Sequence, residues 1–443
     1  MKHFIYCTVP GLRQQDLVQM PNLQALTASG SKQLLTTSFP AVTWPAQANM
    51  LTGKRPEQHG VIANGFYWRD KKEVEMWTAW NDKIQAPQIW DLLHEVSADI
   101  KSLAWFPMLS KGSGADYICM PKPVHNPDGS ESLWCYTQPQ EYYGEMVESI
   151  GHFPLQHFWG PLANIKSSEW ILQSAVKAIT NFLPQFSYIY IPHLDYAAQK
   201  TGPNSPAALQ SVTELDETLG RMIDDIHASL GENNVVWIIA SEYVISEVDH
   251  VSYPNRILRE AGLLDVLAEE DGEHLDLESP AWALVDHQLG HIFVKDRCQE
   301  TIAQVRQLME QQDGIAEVLA GKERSKYGLD HERSGDVIIL STSNSWQAYY
   351  WWLEDALAPG FARTVDIHRK PGYDPVELHF DMETKSIPLD ATLIKGSHGA
   401  PVNDESQRGV IISNCSDILE GRDWLDTDLC DHLVNAISAS QSS

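Results

Sequence analysis

Four short apolar runs constrain this chain more than any other feature: HFIYCTV at 3–9, SLAWF at 102–106, FSYIYIP at 186–192 and VVWIIAS at 235–241. Each is too short for a buried helix, rich in β-branched and aromatic residues, and continuous rather than alternating. That pattern marks strands covered on both faces. Between the last two lies SPAALQSVTELDETLGRMIDDIHASLG (205–231), with apolar residues at helical spacing and a Ser-Pro start. Strand, crossover helix and strand together predict an α/β fold built on a mostly parallel sheet with helices on its faces.

The texture changes after about residue 265. The acidic stretch EEDGEHLDLESP is followed by strand-like WALVDHQ and HIFVKD, a helix near 297–312 and a further strand at VIILSTS. We read 265–365 as a small inserted α+β cap and assign 1–264 and 366–443 to the core.

With 43% hydrophobic and 21% charged residues the chain can bury a large core, which excludes a disordered protein. Sixty acidic residues against 32 basic ones give a net charge of −28. Nucleic acid and anionic lipid are therefore not expected partners, since both need a cationic footprint. No apolar run is long enough to span a membrane. Pro10 and Gly11 break the opening MKHFIYCTV too early for a signal-peptide core, and six scattered cysteines without a CxxC pair suit reduced thiols; the expected location is cytoplasmic. Nothing in the sequence sets an oligomeric state.

SFPAVTWPAQANMLTGKRPEQHGVIAN (38–64) is the most informative segment. Thr43 directly precedes Trp44-Pro45 and an alanine-rich helical run, which predicts Thr43 at a helix N-terminus. There the helix dipole favours an anion and eases formation of an alkoxide. Alone, such a Thr is only a cap.

With its surroundings, this segment resembles the nucleophile region of the type I phosphodiesterase/nucleotide pyrophosphatase branch of the alkaline phosphatase superfamily. Three further segments match in order: PHLDYAAQKTGP (192–203) and KGSHGAP (395–401) resemble its metal loops, and IIASEY (238–243) its Ser-Asp-His step. VPGLR (9–13) stands where the family has Asp-Gly-x-Arg. The resemblance covers about residues 3–405. It implies an alkaline-phosphatase-like three-layer α/β/α sandwich. It also implies a hydrolase of small phosphoesters or phosphoanhydrides, including nucleotide-like ones, in which a Thr attacks phosphorus beside two zinc ions. Carried over by position, Thr43 is the nucleophile, Asn64 the phosphoryl donor, and Asp195 and His398 metal ligands.

Four positions depart from the pattern. Pro10 has no coordinating side chain, Gln199 replaces a His, Glu242 replaces an Asp and is a third candidate metal ligand through its longer arm, and Tyr243 replaces a His. The expected cofactor is one or two divalent ions, zinc first, with manganese and iron as alternatives. Replacement ligands are sought in VDHQLGH (Asp286, His287, His291), in VDIHRKPGYDP (Asp366, His368, spaced to share one face of a strand) and at His193. The alternative for every such His is a hydrogen-bonded structural role. Two alternative functions stay open: different chemistry with one metal, and a ligand-binding pseudoenzyme. The cluster Trp346, Tyr349, Tyr350, Trp351 and Trp352 suits either stacking on a base or packing, and Arg369 and Lys370 either a phosphate contact or solvated charge.

Overall fold

The computed structural model describes residues 2–125, 131–419 and 421–441. All four apolar runs form strands: β1 (His3–Val9), β2 (Ser102–Trp105), β3 (Phe186–Tyr190) and β4 (Val235–Ser241), each buried along its whole length. β1 pairs in parallel with β3 on one side and β4 on the other, and β2 lies parallel to β3. The full nine-stranded sheet runs, by residue number, 424–425, 31–36, 409–413, 235–241, 3–9, 186–190, 102–105, 117–121, 135–138. Five of its pairings are parallel; only the strands at 409–413 and 135–138 run against their neighbours. The predicted crossover helix spans Pro206–Leu230, opened by Ser205, whose side chain accepts from the Ala208 N–H. It packs with the helices at Ile165–Phe182 and His193–Thr201, while those at Thr43–Thr52 and Ile89–Val96 pack against the C-terminal helix.

Residues 281–341 contribute a separate four-stranded antiparallel sheet, ordered 281–286, 289–294, 337–341, 315–320. The first two strands, β5 (Ala281–Asp286) and β6 (Leu289–Val294), form a hairpin with a two-residue tip at His287-Gln288. His287 holds φ 56°, a left-handed conformation uncommon outside glycine. A short parallel pairing of His250–Ser252 with Ser345–Gln347 ties the region's base.

One expectation is corrected here, and one open choice is decided. VDIHRKPGYDP is not a strand: residues 364–372 turn, and Asp366 and His368 do not share a pleated face. Pro371 and Gly372 (φ 151°) end any extended run there. The aromatic cluster is packing: Trp346, Tyr349, Tyr350, Trp351 and Trp352 are each at most 1% exposed. Among the described residues no helix is long and apolar enough to cross a membrane.

Candidate functional site

Adjacent parallel strands deliver their C-terminal ends to one place, as open α/β sheets do at their sites. β1 ends at Val9-Pro10. β3 leads into the helix α1 (His193–Thr201), with Asp195 in its first turn. β4 runs directly into Glu242 and Tyr243. His398 follows the short strand Gly396–Ser397. Gly396 permits this approach, since a Cβ there would stand 2.2 Å from the Ala198 carbonyl oxygen.

Thr43 is the first residue of the helix Thr43–Thr52, after an extended Val42. The first turn satisfies its donors unusually. The Trp44 N–H donates to Asn64 Oδ1 (2.9 Å), Pro45 has none to offer, and the Ala46 N–H reaches the Val42 carbonyl. Among the described residues this leaves the Thr43 N–H as the unpartnered donor of that turn. Thr43 and Asn64 are thus brought together.

Thr43 Oγ1 lies 3.1 Å from the Tyr243 hydroxyl, which donates at 3.5 Å to Asp195 Oδ1. His398 Nδ1 donates to the Ala41 carbonyl at 2.8 Å, so its Nε2 carries the lone pair; Nε2 stands 3.9 Å from Asp195 Oδ1, buried and without a hydrogen-bond partner. Burial pushes the Asp195 carboxyl up to about 7, with Gln199 and Tyr243 pulling partly the other way, and pushes His398 down to about 3. His398 is therefore a neutral imidazole, and the Asp195 beside it gives up its proton only near neutral pH. Burial, then Asp195 nearby, raises the Tyr243 phenol well above its usual range, so it stays protonated.

The other predicted donors are placed differently. Glu242 Oε1 sits 2.8 Å from Thr8 Oγ1 and accepts from Gln47 Nε2 at 2.9 Å, while Oε2 is buried without a partner. Burial raises this carboxyl to about 8. Gln199, in the place of a His, accepts from the Tyr373 hydroxyl at 2.9 Å. His287 reaches the site as a ring rather than as part of a shared donor cluster. Its centroid is 3.6 Å from that of His398 and 3.8 Å from that of Tyr373. His193 bonds Glu214 at 3.0 Å.

Asp366 and His368 are engaged away from Asp195 and His398. Asp366 accepts from the backbone of His368 and Arg369 and pairs with the Arg369 side chain; exposed His368 donates to the Met76 carbonyl at 3.1 Å. His291 is also committed: Nε2 donates to the Ile62 carbonyl and Nδ1 accepts from the Gly335 N–H, both at 3.1 Å. Lys370 is no solvated charge but a buried cation held by Asp374 and Glu377.

Among the described residues, the one group of three or more His, Cys, Asp or Glu side chains close enough to share an ion is Glu269, Asp271 and His274, largely exposed on another hairpin. The two-ion donor set does not fit these residues: Pro10 offers nothing, Gln199 is engaged by Tyr373, and Glu242 forms no shared group with Asp195 and His398. A single ion fits better, because His398 Nε2 is an orphaned lone pair aimed beside a carboxyl group. Sequence reasoning missed Tyr373 and Gln47. Tyr373 sits in a Gly-Tyr turn with no signal beyond its aromatic ring, and Gln47 links Glu242 to the Met108 N–H.

Comparison with known proteins shows the family and the fold. The sequence pattern described as type I phosphodiesterase/nucleotide pyrophosphatase matches residues 8–374. An uncharacterised pyrophosphatase/phosphodiesterase of Schizosaccharomyces pombe is 24% identical over 248 residues, 54% of this chain and 44% of that protein. Ectonucleotide pyrophosphatase/phosphodiesterase family member 7 of Mus musculus is 24% identical over 239 residues, 52% of this chain and 47% of its own. The chain thus spans about half the length of the curated relatives it matches. Among solved structures, phosphonoacetate hydrolase from Sinorhizobium meliloti 1021 with phosphonoacetate superposes at a TM-score of 0.64, 15% identical, covering 98% of this chain and 96% of that one. An inactive murine ectonucleotide pyrophosphatase/phosphodiesterase 5 with AMP does so at 0.61, 14% identical, covering 99% and 95%. These likenesses carry the alkaline-phosphatase-like fold. Together with the match over residues 8–374, they place the chain in the type I phosphodiesterase/nucleotide pyrophosphatase family.

Proposed function

We propose that this protein hydrolyses a small phosphoester or phosphoanhydride through Thr43. The observation that carries this reading is the placement of Thr43 Oγ1 at a helix N-terminus, 3.1 Å from a hydroxyl that leads on to Asp195. Oγ1 attacks phosphorus, the bond to the leaving oxygen breaks, and water later releases the phosphoryl group from Thr43. While Asp195 is ionised the Thr43 proton has a short path: Tyr243 accepts it at its hydroxyl as its own passes to Asp195 Oδ1, so the phenol never ionises. The Thr43 N–H and the Asn64 amide hold phosphoryl oxygens, supplying the local positive field that a chain of net charge −28 lacks overall.

The family is metal-dependent, and here Asp195 and His398 are the side chains suited to one divalent ion. Zinc is favoured by the imidazole–carboxylate pair, and would supply Lewis acidity toward a phosphoryl oxygen. The likeness to proteins holding AMP and phosphonoacetate supports a small phosphorylated or phosphonate substrate. We further take 265–365 as the cap, and a cytoplasmic location, supported by six cysteines that are all free. The second reading, a protein that binds such a ligand without turnover, is favoured by Tyr243 standing where the family has a metal-binding His.

The test is hydrolysis of thymidine 5′-phosphate p-nitrophenyl ester by zinc-supplemented protein. Thr43→Ala should abolish turnover and Thr43→Ser should retain part of it. Turnover by Thr43→Ala at the native rate rejects the covalent mechanism; binding without turnover by the native protein selects the second reading.

A further inference from the structure

Asp286, at the end of the hairpin strand β5, is fully buried, and both of its oxygens are taken by one residue. The Asn64 N–H donates to Oδ2 at 2.7 Å and Asn64 Nδ2 donates to Oδ1 at 3.1 Å. Two bonds from the backbone and the side chain of one residue to one carboxylate leave the Asn64 side chain no free rotation. Its amide is oriented as well, because Oδ1 accepts from the Trp44 N–H beside Thr43. Of the two Nδ2 hydrogens, one goes to Asp286 and one is left for a ligand oxygen.

We propose that Asp286 is a positioning residue: the cap hairpin, through this carboxylate, holds the Asn64 amide in register with Thr43. This rests on the hydrolase reading above. The cost of the arrangement supports it. Asp286 has no cationic partner among the described residues; its nearest charged-type neighbour is His287, 3.8 Å away and held neutral by burial. Burying a carboxyl group with no cation beside it costs free energy, and is an unfavourable way merely to tie a loop. The tip beyond it is also constrained. His287 stays left-handed while its carbonyl accepts from the Gln347 N–H (2.8 Å) and the Gln288 N–H donates to the His398 carbonyl (3.0 Å). The cap therefore touches both the phosphoryl-binding residue and the His398 loop.

The experiment is a double-mutant cycle of Asp286→Asn with Asn64→Ala, read as kcat and KM for thymidine 5′-phosphate p-nitrophenyl ester, as calorimetric binding of inorganic phosphate, and as melting temperature. An Asn at 286 cannot accept both N–H groups. D286N should lower kcat by about 10²-fold, the scale of a misplaced binding group. KM should change little, phosphate should bind more weakly, and neither loss should deepen when added to N64A. A purely structural role predicts losses that multiply with those of N64A, and that result, or native kcat in D286N, overturns the proposal. If D286N unfolds below the assay temperature, Asp286→Glu keeps the charge but displaces both oxygens, and the same cycle applies. Native protein that neither turns over the ester nor binds phosphate overturns the hydrolase reading itself, an outcome distinct from native activity that ignores position 286.

Discussion

The Tyr243 ring lies flat on the His398 imidazole, centroids 3.7 Å apart and planes within 8°. The stack places the phenol oxygen between Thr43 and Asp195, where the family has a second metal-binding imidazole. Tyr243→Phe keeps the stack and removes only the hydroxyl. Turnover should fall by about 10²-fold or more, the scale of lost proton transfer, with the melting temperature little changed. Native turnover in this variant would exclude the relay.

Metal content separates the donors. In protein dialysed against zinc and then buffer, Asp195→Ala and His398→Ala should each lower bound zinc, measured by plasma emission. Asp366→Ala and His368→Ala should not, because those side chains are committed to Arg369 and the Met76 carbonyl. Zinc loss in either of the latter would reinstate that segment as a ligand source.

Stability should peak near neutral pH. Burial raises Asp195 and Asp286 from 3.8 to about 7 and Glu242 from 4.5 to about 8. Between the unfolded value and the raised one, each keeps a proton in the fold that the unfolded chain has released. Their contribution is full below the unfolded values, drains away as pH rises from there, and is gone above 7 to 8. Burial lowers His59 and His398 from 6.5 to about 3 and His291 and His379 to about 4, so these contributions are full above 6.5 and lost as pH falls. Melting temperatures of chelator-treated protein should therefore be highest near pH ~6.5 and fall on both sides. Glu242→Gln should remove the part of the decline nearest pH 8; an unchanged decline would reject the raised carboxyl.

Lys370 donates to Asp374 Oδ2 (2.8 Å), Glu377 and the Thr364 carbonyl, and it and Glu377 are each 1% exposed. Lys370→Met leaves two buried carboxylates unpaired and should cost about 3–5 kcal/mol in denaturant unfolding. It should also loosen the loop that brings Tyr373 to Gln199. A near-native midpoint would show that the pair is not what holds this loop.

Trp352→Ala tests the aromatic cluster. Truncating a fully buried Trp should cost about 3–5 kcal/mol of stability and leave KM unchanged. A KM shift at native stability would mean that the cluster meets substrate.

Much of the fold was legible because buried strands advertise themselves: β1 and β4 span the residues that their apolar runs mark. Thr43 was legible for a similarly local reason, the Pro that follows a helix start. The donors around it were not. The spacing of Asp366 and His368 points to one face only on a strand, and the Pro371-Gly372 turn removes the strand. Lys370 reads as solvated by residue type, while its burial depends on Asp374 and Glu377 folding back around it. Asp286, His287 and His291 were visible as polar side chains near each other in sequence. Their partners Asn64, His398 and Ile62 lie more than a hundred residues away, so spacing could not assign their roles.

The order of strands in the sheet has a consequence for synthesis. The strand at 31–36 is made long before both its neighbours, 409–413 and 424–425. Until they arrive its backbone groups face solvent as an unpaired edge, the geometry that recruits foreign strands. β4 waits for the same late partner, with Ile239 opposite Ile412. A nascent chain that has not yet reached residue 409 therefore carries two open β-edges, and its dependence on chaperones should last until 409–425 have been made.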